Sequence, residues 1–219
     1  MDISKKKILS PLQAKILDLF YREEFPFFLT GGTALSAFYL HHRYSQDLDF
    51  FTLDGEALQR VPSRIESFGK ELRAEIESIQ SEPAFKRFIV SADQERIVVD
   101  FVKDVEYQVN PEKSMFGRIK VDSFEDIASN KICAILGRME IKDYIDLFFI
   151  SEAGHDVEKF VALAKNKDAG ISKATLSFVI KDFKLDKTPP YILKKFDIAG
   201  INEFYGKLSE KWAKESFPV

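Results

Sequence analysis

Asp47 and Asp49 stand two apart in Asp47-Leu48-Asp49-Phe50-Phe51, a segment that reads as a strand. Both carboxylates therefore project from one face, and Leu48 and Phe50 from the other. Adjacent carboxylates repel and raise each other's pKa unless a cation compensates them. Magnesium suits such a pair, because it takes a few carboxylates and fills its octahedron with water and substrate phosphates. An isolated Asp-x-Asp is equally consistent with the solvent-facing edge of a strand. Upstream, Phe28-Leu29-Thr30-Gly31-Gly32-Thr33 runs a strand into two glycines and a small hydroxyl residue that opens a helix. Free N–H groups at a helix start attract phosphate, and glycines let its oxygens approach the backbone. The same trio also makes an ordinary strand-to-helix turn. Asp100 sits in the apolar strand Arg96–Val102, where a carboxylate is costly unless paired. A metal shared with Asp47 and Asp49, a salt bridge, or the wet side of the pleat would each meet that cost.

Other elements must position these groups. Ser10-Pro11-Leu12-Gln13 predicts a helix start, with serine as N-cap and proline in the first turn, running to about Glu24. Phe25–Thr30 reads as a strand, Thr33–His41 as a helix, and Ile65, Phe68, Leu72 and Ile76 as the apolar stripe of another helix. Lys86–Ala92 and Arg96–Lys103 predict a hairpin turning through Asp93-Gln94-Glu95, and Arg118–Val121 a further strand. Ser123-Phe124-Glu125-Asp126 opens a helix carrying Asn130, Lys131 and Arg138. The pattern beyond is helical. An α/β part to about Asp122 and a helical C-terminal part are expected, with domains at 1–122 and 123–219.

The chain has 219 residues, 45% hydrophobic and 31% charged, enough for a sizeable core. Cys133 is the only cysteine, so no intramolecular disulfide forms, and a core position on its helix is expected. The start Met1–Ser10 is basic but lacks the apolar stretch of a signal peptide, and no run approaches the roughly 20 apolar residues of a membrane span. A cytoplasmic protein without membrane contact is expected. A net charge of −3 argues against a surface coated for non-specific nucleic-acid binding. Lys159–Lys195 is locally basic, with nine lysines and three aspartates, and reads either as a solvated helix surface or as a phosphate-tracking patch.

Gly-Gly-Thr, then Asp-x-Asp on the next strand, then a lone aspartate on a later strand resembles the DNA polymerase β-like nucleotidyltransferase superfamily. The wording is more specific still. Gly31–Leu35, His42–Phe51 and Asn130–Leu147, with its Lys131, Arg138, Asp143 and Asp146, are similar to the AbiEii/AbiGii nucleotidyltransferase family, which includes bacterial toxins and has the MenT toxins as relatives. The resemblance covers roughly residues 25 to 150. It implies an α+β fold, a polymerase β-like core of mixed sheet flanked by helices and followed by a helical C-terminal part.

The resemblance also implies roles. Asp47, Asp49 and Asp100 would hold magnesium, or manganese in its place, for a nucleoside triphosphate whose phosphates sit over Gly31, Gly32 and Thr33. Lys131 would contact nucleotide phosphates, and Asp143 matches the aspartate of a Lys/Arg-Asp-x-x-Asp-Leu motif. Lys131 and Arg138 are two helical turns apart and face one way, as do Asp143 and Asp146. The two acids either serve the nucleotide or brace Lys131 and Arg138 by salt bridges. Arg43 and Ser45 either contact phosphate or fix the loop before the aspartates. His42 is expected to support that loop and His41 to face solvent. The implied activity is transfer of a nucleotide to RNA, particularly tRNA ends, by a toxin with an antitoxin partner. The alternatives are a small-molecule or protein acceptor, or a non-catalytic nucleotide-binding module of the same fold.

Overall fold

A computed structural model describes residues 8–217, so the basic start at Met1–Lys7 lies outside the described residues. The chain divides into two compact units, Met1–Ser123 and Phe124–Val219.

The first unit opens on helix α1 (Pro11–Phe20), held by a capping box in which Ser10 and Gln13 bond reciprocally. It stops short of the expected Glu24, because Tyr21 closes it and the Arg22 N–H tightens onto the Leu19 carbonyl. Strand β1 (Phe28–Thr30) runs into α2 (Gly31–Ala34), which continues as a π-helical turn over Leu35–Leu40. His41, left-handed at φ 54°, ends it. Strand β2 (Leu48–Thr52) follows, then α3 (Gly55–Leu72), capped by the Asp54 carboxylate. Ile76, expected on that helix, belongs instead to strand β3 (Glu75–Glu82), because Arg73 turns left-handed at φ 52° and stops the helix at Leu72. Ile76 still packs on α3, with its Cγ1 2.5 Å from where a Cβ on Gly69 would lie.

Strands β4 (Phe85–Ala92) and β5 (Glu95–Lys103) form the expected hairpin with a shorter turn. Asp93 and Gln94 both take positive φ, 51° and 68°, the conformation of a two-residue hairpin loop. Glu95 is thereby part of β5 and pairs with Ala92. Strands β6 (Ser114–Phe116) and β7 (Ile119–Val121) complete a seven-stranded sheet in the order β3-β4-β5-β2-β1-β7-β6. It is mixed, with β2 parallel to β5, β1 parallel to β7 and the other pairs antiparallel.

Phenylalanines fill the space between this sheet and its helices. Phe20 stacks on Phe50 at 4.1 Å, and Phe50 on Phe101 at 5.3 Å. Leu48 and Phe50 are fully buried, while Asp47 and Asp49 are half-buried. The apolar alternation thus decides which face of β2 Asp49 occupies, while Asp47, expected on the same strand, lies in the loop just before it.

The second unit is helical: α4 (Phe124–Arg138), α5 (Ile141–Glu152), α6 (Val157–Ala164), α7 (Lys173–Ile180) and α8 (Ile198–Ser216). Trp212 of α8 is buried and its indole N–H donates to Glu158 at 2.8 Å. Lys173 and Lys211 reach the same carboxylate at 2.6 and 2.8 Å. Burial works to raise the Glu158 pKa, but those three donors hold it at about 2. Its contribution to stability is therefore present above the ordinary value of 4.5 and lost as pH falls towards 2. Thermal unfolding should show Glu158→Gln melting below the wild type at neutral pH, with the gap closing through that acid window. A gap independent of pH would contradict the assignment.

The basic stretch Lys159–Lys195 reads differently in three dimensions. Lys167 is buried and paired with Asp126 at 2.7 Å, and Lys159, Lys173, Lys181 and Lys184 also have acidic partners. Phe160 is in the core and Phe183 stacks on Tyr144 at 4.5 Å. Phe178 is exposed, beneath the Lys181 ammonium at 4.0 Å. No helix of the described residues is long and apolar enough to cross a membrane.

Candidate active site

Strand registers line up one row of polar residues across the sheet. Thr30 of β1 faces Asp49 of β2, Asp49 faces Asp100 of β5, Asp100 faces Arg87 of β4, and Arg87 faces Gln80 of β3. Directly opposed residues share a face of the sheet. Like charges placed opposite each other, as Asp49 and Asp100 are, destabilise a strand pair. Arg87 compensates them. Its Nε donates to Asp100 Oδ1 at 2.8 Å and its Nη2 to Oδ2 at 2.6 Å. The hydrogen bond to Asp100, then the charges of Asp100, Asp47 and Asp49, hold the guanidinium pKa above its ordinary value against the opposing effect of burial.

The glycine turn closes on this row. Gly31 has φ +69°, and a Cβ there would lie 2.1 Å from Asp49 Oδ2 and 2.8 Å from its Cγ. The Asp49 carboxylate therefore rests against the Gly31 backbone in space that only glycine leaves. A Cβ on Gly32 would meet Arg43 Nη2 at 2.5 Å and Ser45 Oγ at 2.9 Å. The two glycines are thus flanked by a carboxylate on one side and by a guanidinium and a hydroxyl on the other. Arg43 is buried, and its Nη1 donates to the Tyr44 carbonyl at 2.9 Å.

The loop before the acids is fixed from two directions. Gln13 of α1 donates to the Ser45 carbonyl at 2.9 Å, and the Thr33 hydroxyl donates to the Asp47 carbonyl. Thr33 is buried, so its hydroxyl secures the loop carrying Asp47. His42 is buried and His41 exposed.

Among the described residues no three His, Cys, Asp or Glu side chains are gathered into a ready-made metal cage. Asp100 is drawn to Arg87. The residues nonetheless fit magnesium, which needs few protein ligands when phosphates supply the rest. Asp49 seated against Gly31, with Asp47 held two residues before it, is a donor set of that kind.

In the helical unit, Lys131 reaches Asp143 at 2.8 Å and Asp146 at 2.7 Å, with all three side chains buried. Arg138 grips Asp143 through Nε at 2.7 Å and Nη2 at 2.9 Å. Burial acts to raise the Asp143 pKa, and Lys131 and Arg138 outweigh it and hold it low. Of the two readings of these acids, the structure displays the brace, and the two cations facing one way on α4 converge on Asp143. Cys133 is half-buried on α4, with its thiol pushed up to about 11 by burial.

Arg87 was not legible as a site residue. The signal that finds it is the turn length, since a two-residue loop at Asp93-Gln94 places Arg87 opposite Asp100.

Known proteins share this architecture. JHP933 from Helicobacter pylori is 20% identical, with a TM-score of 0.60 over 93% of this chain and 90% of its own. A provisionally assigned nucleotidyltransferase from H. pylori is also 20% identical, with a TM-score of 0.59 over 94% of this chain and 97% of its own. At that identity the likeness is one of fold. An uncharacterized protein of Aquifex aeolicus (strain VF5) is 30% identical over 162 residues, 71% of each chain. A family model described as nucleotidyl transferase AbiEii toxin, type IV TA system, matches residues 12–216. With that match spanning nearly the whole chain, this protein belongs to the AbiEii nucleotidyl transferase toxin family and is a nucleotidyltransferase.

Proposed function

We propose that the protein transfers a nucleotide from a nucleoside triphosphate to an RNA acceptor, with magnesium held by Asp47, Asp49 and Asp100. The observation that carries this reading is the Asp49 carboxylate seated against Gly31, with Asp100 beside it in register. Bound there, magnesium or manganese would neutralise triphosphate charge and lower the pKa of the attacking hydroxyl. The chain's own contribution is placement. Asp49 rests against Gly31, Arg43 and Ser45 beside Gly32 would meet the phosphates, and Thr33 and Gln13 keep the acidic loop in position. Within the helical unit, Asp143 and Asp146 hold Lys131, and Arg138 holds Asp143; Lys131 is the residue that the family resemblance assigns to nucleotide phosphates.

Membership of a type IV toxin–antitoxin family supports a toxin with an antitoxin partner; a cytoplasmic location and tRNA as the RNA acceptor complete the proposal. The ion pairs made by five of the lysines in Lys159–Lys195 favour a second reading, in which the acceptor is a small molecule or a protein side chain. A non-catalytic nucleotide-binding role would require that no label moves at all. The test incubates the protein with each labelled triphosphate, magnesium and total cellular RNA, beside Asp47→Ala. Label on RNA is expected to fall about 100- to 1000-fold in the variant, as the metal's charge stabilisation is lost. Equal labelling by Asp47→Ala would overturn the metal assignment. Salt-insensitive or absent tRNA binding would favour the small-molecule or protein acceptor.

A further inference from the structure

Asp100 faces two demands on the same carboxylate. Both of its oxygens accept from Arg87, at 2.8 and 2.6 Å, in the side-by-side geometry of a charge-assisted fork. A cation bridging Asp49 and Asp100, which are register neighbours on parallel strands roughly 4.8 Å apart, needs at least one of those oxygens. A guanidinium and a divalent cation on one carboxylate repel each other. The two partners of the existing pair are unequally free to move. The Asp100 side chain is 10% exposed on a strand paired on both sides, whereas that of Arg87 is 42% exposed. The Arg87 guanidinium also lies 5.3 Å from the Phe85 ring centre, a second favourable seat two residues back on the same face of β4.

We propose that Arg87 is a displaceable counter-ion for Asp100. It holds this carboxylate while the acidic face is without metal and yields it when a divalent cation enters beside Asp49. The proposal rests on the metal reading above and adds how the site sets its own affinity. Competition from Arg87 keeps binding of a bare cation weak. A cation arriving with a triphosphate meets less opposition, because the released guanidinium then has phosphate oxygens to bind. Arg87 is a positioning residue in this scheme, acting through Asp100, and it couples metal entry to nucleotide entry.

The test uses Mn2+ alone, read by the loss of its free electron paramagnetic resonance signal on adding the whole chain without nucleotide. Arg87→Met should bind Mn2+ about tenfold more tightly than the wild type, the order expected when one charge-assisted contact stops competing. Adding Asp100→Asn to Arg87→Met should erase that gain. Arg87→Lys, which keeps the charge but not the fork, should fall between. Circular dichroism checks the fold, and if Arg87→Met does not fold, Arg87→Gln carries the same expectation. Folded variants that bind Mn2+ no better than the wild type would overturn the proposal. If the wild type then still binds Mn2+ with a triphosphate and Asp47→Ala does not, the metal reading survives alone. Absence of Mn2+ binding by every form, with and without nucleotide, would overturn both.

Discussion

Alanine at Gly31 should all but abolish nucleotidyl transfer. Two costs coincide there. Gly31 has φ +69°, a conformation that costs a residue with a Cβ roughly 1–2 kcal/mol. The added carbon would also sit 2.1 Å from Asp49 Oδ2, 2.8 Å from Cγ and 3.2 Å from Cβ, so the whole short side chain must move. A carboxylate displaced by about 1 Å can cost on the order of 100-fold in rate, and this displacement is larger. Gly32→Ala is the natural comparison. It meets the ends of two longer side chains, Arg43 Nη2 and Ser45 Oγ, without a positive φ, and its loss should be smaller. Steady-state transfer rates beside thermal midpoints separate the two. A Gly31→Ala protein with wild-type turnover would show that Asp49 need not rest where the structure puts it.

Lys131→Met should cost the helical unit a large part of its stability. The ammonium is shared by Asp143 and Asp146, both carboxylates are fully buried, and the lysine side chain is only 5% exposed. Removing it leaves Arg138 to hold Asp143 and takes from Asp146 a partner 2.7 Å away. Breaking a buried pair from one side costs about 3–5 kcal/mol, because the remaining charge stays buried. Urea unfolding should show that loss, and Lys131→Met/Asp146→Asn should recover part of it, since the second change removes the buried charge that lost its lysine. Additive costs would mean that the two side chains do not share their energy. Transfer activity measured well below the unfolding midpoint then separates the brace from the phosphate contact implied by the family. A folded Lys131→Met that keeps its rate and its affinity for triphosphate would leave the brace as the residue's whole role.

What was legible in the sequence follows from which signals are local. Asp49 on β2 is announced by Leu48 and Phe50 beside it, and the glycine turn by its own residue types. The hairpin was legible but its loop was not. A three-residue turn through Glu95 shifts the register by one and sets Phe88 opposite Asp100. The real two-residue turn sets Arg87 there, and the counter-ion came into view only with it. Strand β3 escaped because it lies at the sheet's edge with almost every residue exposed, so no alternation marks it. Ile76 fell on the helical stripe of Ile65, Phe68 and Leu72 because it packs against that helix from the strand. The π-helical turn at Leu35–Leu40 has no compositional mark at all, although such turns occur often near functional sites.

The row from Thr30 through Asp49 and Asp100 to Arg87 also bears on when in its life the protein can become active. Its members lie far apart along the chain and meet only through pairings between strands, including the parallel pairing of β2 with β5 across an intervening helix and two strands. Pairings of this kind form late, after the cost of closing long loops has been met. A nascent chain that has emerged only as far as β4 has the glycine turn and Asp49 with Thr30 opposite it, but not Asp100 on its other side. With Asp100 as a metal ligand, as proposed, the chemistry is withheld until synthesis has passed β5 and the centre of the sheet has closed, and any opening of that seam withdraws it again.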